Sequence, residues 1–94
     1  MSIEGEMMNS TEFMEVGVVT HYFTKAGVAV VKLTETLSAG DLILIKGITT
    51  NVEQTVNSMQ IEHVNISRAE AGQDVGLKVD GRVREGDTVY RVTK

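Results

Sequence analysis

Ninety-four residues with no cysteine make one domain with room for a modest core, and exclude both disulfides and thiolate metal ligands. The whole net charge of −4 lies in the first fifteen residues, where Glu4, Glu6, Glu12 and Glu15 meet no Lys or Arg. The remainder is charge-balanced, so the strong basic footprint of a dedicated nucleic-acid binder is missing.

No apolar run approaches the roughly 20 residues that cross a bilayer, and the acidic start is unlike a signal peptide. The expectation is a soluble, cytoplasmic protein. Residues 1–13 show no strand periodicity and hold Met1, Met7 and Met8. They read as an acidic, Met-rich N-terminal arm before a β-domain over 14–94.

In chain order, residues 16–23 are dense in β-formers and predict the first strand. Thr24-Lys25-Ala26-Gly27 connects it to a second strand over 28–33. A connection over 34–40 leads to a third strand over 42–45. Residues 52–57 and 59–64 read as one long strand or two short ones, and Arg68-Ala69-Glu70-Ala71 as a single helical turn. Strands over 75–79 and 88–92 complete the set. Val31, Leu33, Ile43, Ile45, Val75, Leu77 and Val89 are the expected core.

Three glycine-led corners punctuate these strands: Ser38-Ala39-Gly40-Asp41, Ala71-Gly72-Gln73-Asp74 and Arg84-Glu85-Gly86-Asp87. Gly accepts positive φ and the following Asp can bond local amides, which reads Asp41, Asp74 and Asp87 as equivalent turn caps. Corners between β-branched runs, in a chain without proline, predict an all-β fold: a small antiparallel, closed or nearly closed barrel of about six strands.

Five blocks then carry a resemblance. Gly27-Val28-Ala29-Val30-Val31, Leu37 with Gly40-Asp41-Leu42-Ile43-Leu44-Ile45, Val56-Asn57-Ser58-Met59-Gln60, Ala71-Gly72-Gln73-Asp74-Val75-Gly76-Leu77 and Arg84-Glu85-Gly86-Asp87 occur in one order. That order resembles domain 2 of elongation factor Tu and the C-terminal barrel of collagenase-like peptidases, and the runs Thr20-His21-Tyr22-Phe23 and Met59-Gln60-Ile61-Glu62-His63 look most like small stand-alone translation elongation factor-like proteins. The resemblance implies a non-catalytic binding module that contacts RNA, the ribosome or a protein partner. Its alternative implication is an accessory docking barrel for a collagenase-like peptidase or a related RNA-modifying enzyme. It also turns Leu42 and Leu44 outward, for the arm, a second copy or a partner to cover. The tRNA-holding carboxylates of elongation factor Tu fall at Val18, Val19 and Gln60, so they are not retained.

No phosphate-cradling G-x-x-x-x-G-K-[ST] loop is present, which argues against GTP. His21 and His63 with Glu62 make no metal-ligand spacing, and no nucleophile sits beside a base. No catalytic residue, metal or cofactor is therefore expected, and the chain reads as a non-enzyme. The contact residues are taken as His21, Tyr22, Lys25, Gln60 and His63, together with Arg82 and Arg84, which alternate in a mildly basic C-terminal stretch.

Overall fold

The computed structural model describes residues 12–93. The expected arm lies outside the described residues except for Glu12 and Phe13. Ten strands follow one another: β1 (Phe13–Phe23), β2 (Val28–Leu33), β3 (Leu37–Ser38), β4 (Leu42–Lys46), β5 (Asn51–Thr55), β6 (Met59–Ile61), β7 (Val64–Ile66), β8 (Arg68–Ala69), β9 (Asp74–Lys78) and β10 (Thr88–Val92).

Eight strands form one antiparallel sheet in the order β5-β4-β10-β1-β2-β9-β6-β7, and β3 pairs with β8 in a second, two-stranded sheet. The expected closed or nearly closed barrel of about six strands is corrected to two open sheets. The larger sheet ends at β5 and β7, and no ladder joins them. Strand-forming residues and corners can be read locally, but which edges meet is a long-range property. The expected helical turn at Arg68 is also corrected, since Arg68 and Ala69 pair with Ser38 and Leu37.

The long strand β1 serves the centre of the sheet by bending. Its register shifts between Glu15 and Gly17 against β10, and between Val19 and His21 against β2. Such bulges sharpen the twist and let one strand wrap two neighbours. The seven expected core residues are all buried, joined by Val16, Val19, Leu37, Met59 and Val83. Ile43 and Ile45 point inward while Leu42 and Leu44 point outward.

The corners share one construction. In Ser38–Asp41 the Asp41 amide donates to the Ser38 carbonyl, and the Asp41 carboxylate accepts from the Ser38 amide. Arg84–Asp87 repeats this arrangement. In the third corner the cap is Gln73, whose Oε1 accepts from the Glu70 amide at 2.7 Å. The expectation that Asp74 caps this turn is thus corrected by one position. Asp74 opens β9 and faces Lys32 instead. Gly40, Gly72 and Gly86 hold φ of 93°, 92° and 93°, where a side chain would be strained.

Candidate functional site

Strand register arranges the outward side chains into rows, because directly paired residues share a face. Glu15 pairs with Tyr90, Tyr90 with Leu44, and Leu44 with Glu53. Beside that row, Phe13 pairs with Val92 and Leu42 with Thr55. Phe13 meets Tyr90 edge-on, with ring centroids 6.2 Å apart. Phe13 is 51% exposed and Leu42 36%, and Leu44, Tyr90 and Val92 are half-buried. The result is an apolar sheet face across β1, β10, β4 and β5, bordered by two carboxylates.

A second row crosses the other half of the sheet. His21 pairs with Val30, Val30 with Gly76, Gly76 with Gln60, and Gln60 with Asn65. Gly76 is the member without a side chain, so the surface dips along β9. A cavity of about 720 Å³ opens there, with Val28 and Val30 on one side and Gln60, Ile61, Glu62 and His63 on the other. Glu62 and His63 form the two-residue turn of the β6–β7 hairpin at φ of 51° and 68°. Both values lie in the left-handed region, where hairpins ordinarily place Asn-Gly.

Of the residues singled out from sequence, Gln60 and His63 line this cavity. Gln60 Nε2 donates to Asn65 Oδ1 at 2.9 Å. His21 lies next to it, its ring tilted 60° against that of Phe23 with centroids 4.3 Å apart, and its Nδ1 stands 3.2 Å from Glu85 Oε2. Tyr22 turns the other way and packs against the core. Lys25 is exposed in the turn after β1. Arg82 and Arg84 are exposed on either side of buried Val83, and neither lines the cavity. Leu42 and Leu44 belong to the apolar face.

Phe23, Val28, Val30 and Gly76 are not among the contact residues chosen from sequence, and Glu62 is weighed there only as a metal ligand. The signal available was Gly76, an isolated glycine inside a strand pattern, which marks a bulge or a close approach of another chain. Among the described residues no group of three His, Asp or Glu side chains is placed to hold a metal. No helix there is long and apolar enough to cross a membrane.

No protein-family model matches the chain. It is 46% identical over 78 residues to an uncharacterized protease of Methanocaldococcus jannaschii, a match covering 82% of this chain and 19% of that protein. A collagenase of Porphyromonas gingivalis is 36% identical over 75 residues, covering 78% of this chain and 21% of the relative. The chain therefore spans about a fifth of the length of these curated relatives. Among solved structures, the C-terminal domain of a Geobacillus thermoleovorans protein assigned to the U32 peptidases superposes with a TM-score of 0.78. That superposition covers 83% of this chain and 91% of the domain at 21% identity.

The fold is that of this Geobacillus C-terminal domain. These similarities correct three expectations. The homology is to proteins named protease and collagenase, which overturns the translation elongation factor-like assignment. The reading as an RNA- or ribosome-contacting translation module falls with it. The expectation of a non-enzyme is likewise corrected, because the similarity is to proteins named protease and collagenase.

Proposed function

We propose that the chain is an accessory docking domain of a collagenase-like peptidase, holding the peptidase through the face built by Phe13, Leu42, Leu44 and Tyr90. The observation that carries this reading is a protease homology spanning only about a fifth of each curated relative, over a domain that presents an apolar sheet face. Each large apolar side chain left in water forgoes roughly 1.5–3 kcal/mol of burial. A contiguous apolar patch with a charged border is what an inter-domain or subunit contact requires. Glu15 and Glu53, at the two ends of the central row, favour a partner surface with Lys or Arg at matching positions. The cysteine-free sequence suits assembly in the reducing cytosol.

The experiment is to mix this chain with the remainder of a homologous peptidase lacking its own equivalent domain, and to follow association by calorimetry and peptide hydrolysis by fluorescence. Saturable association that alters hydrolysis, and that Leu44→Glu abolishes, is the expected result. No association, or association indifferent to Leu44→Glu in a chain that keeps its melting temperature, overturns the reading.

A further inference from the structure

We infer that the trough over Gly76 is a recognition site for an extended peptide segment carrying a Lys or Arg beside an apolar side chain. The first observation is that the fold does not require a glycine at this position. A Cβ added to Gly76 would meet only Val28 Cγ1 at 3.4 Å and Gln60 O at 3.8 Å, both ordinary contacts. Nor does Gly76 belong to the positive-φ glycines. Glycine inside a strand weakens it, and where neither sterics nor φ demands it, close approach of another backbone is the remaining use.

The second observation is the turn that walls the trough. Glu62 and His63 both occupy left-handed backbone, which costs of order 1 kcal/mol or more per residue. That turn places both side chains at the cavity. Strain kept at a cavity rim is strain that a bound group can use.

Shape and charge then specify the occupant. The cavity of about 720 Å³ lies along the outer face of β9, so it accommodates a short stretch of extended chain more readily than a compact ligand. Val28, Val30, Phe23 and Ile61 supply apolar walls. The charged residues in its lining are Glu62 and Asp74, with no Lys or Arg among them. Lys32 Nζ stands 4.0 Å from Asp74, whereas Glu62 has no such partner among the described residues. The unbalanced carboxylate lies beside the apolar walls, which matches a cationic side chain next to an apolar one.

This site is on β2, β9 and β6, away from the proposed docking face, so either reading can fail alone. The test titrates the full chain with a capped hexapeptide bearing one lysine beside one leucine, and with its twin carrying glutamate for the lysine. Amide shifts are followed by two-dimensional NMR. The lysine peptide is expected to shift the amides of Val30, Gln60, Glu62 and Gly76 and to bind more tightly than its twin. Gly76→Val should weaken it roughly tenfold or more by filling the trough, and Glu62→Gln should erase the preference over the twin. Gly76→Ala provides a variant that keeps the fold if valine does not. No shifts at millimolar peptide, shifts confined to the Leu42–Leu44 face, equal binding by the Gly76 variants, or shifts reproduced by raising protein concentration alone would each overturn the inference.

Discussion

Val19 is held on both sides of its backbone by the turn that ends at Asp87. Its amide donates to the Asp87 carbonyl at 2.8 Å, and its carbonyl accepts from the Gly86 amide at 2.8 Å. Val56 makes the same pair of bonds with Asp41 and Gly40, and Leu33 makes it with Gln73 and Gly72. Three buried residues, Val19 and Leu33 in strands and Val56 just past β5, are thus each clamped by one glycine-led corner. The corners do more than reverse the chain; they pin remote strands to one another.

Asp87 is 5% exposed and its Oδ2 accepts from the Arg84 amide. Asp87→Ala leaves that amide without its partner and should cost about 1–3 kcal/mol. Asp74→Ala removes only an exposed pair with Lys32 and should stay within about 0.5 kcal/mol of wild type. Urea denaturation of both variants checks the contrast, and equal losses would refute the one-position shift of the third cap.

Gln54 does by side chain what a ladder does by backbone. Buried on edge strand β5, it donates from Nε2 to the Lys78 carbonyl at 2.9 Å and accepts at Oε1 from the Asp80 amide at 2.7 Å. Gln54→Leu strands both backbone groups and should lower stability by about 1–3 kcal/mol. Hydrogen exchange should speed first at Asp80, and an unchanged rate there would show that the bridge contributes nothing.

Ile43 is fully buried, and Ile43→Ala should destabilise by about 2–5 kcal/mol through the cavity it leaves. Leu44→Ser, on the opposite face of the same strand, should change stability by less than about 1.5 kcal/mol while weakening peptidase association. A thermal melt of the pair, read beside the calorimetry, separates packing from docking.

Replacing the β6–β7 turn by Asn-Gly, as Glu62→Asn with His63→Gly, should stabilise the protein by about 1–2 kcal/mol, since those residues accept positive φ. The same double variant should bind the lysine-bearing peptide less well, because the carboxylate is gone. A drop in melting temperature would show that the two side chains are needed by the fold itself.

How much of this was legible in advance divides along a physical line. Residues 28–33, 42–45 and 88–92 announced themselves as strands because β-branched density acts within a few residues. Alternation alone could not say which of the four apolar residues 42–45 face inward; the resemblance supplied that choice, and Ile43 and Ile45 are buried while Leu42 is exposed. The corners were equally local, with Gly40, Gly72 and Gly86 at positive φ. At the third corner the reading slipped by one residue, because Gln73 followed by Asp74 offers two side chains able to cap and only the backbone register chooses between them. The Glu62–His63 turn was hidden because Met59 to Val64 looks like continuous strand, and no glycine marks the reversal. Pairing Gly76 with both Val30 and Gln60, which makes the trough, and leaving β5 and β7 as edges, which keeps the sheet open, depend on contacts between residues far apart in the chain. Local preference determines where strands begin and turn; only the competition among all possible edges decides which of them meet, and the surfaces available for function are what that competition leaves uncovered.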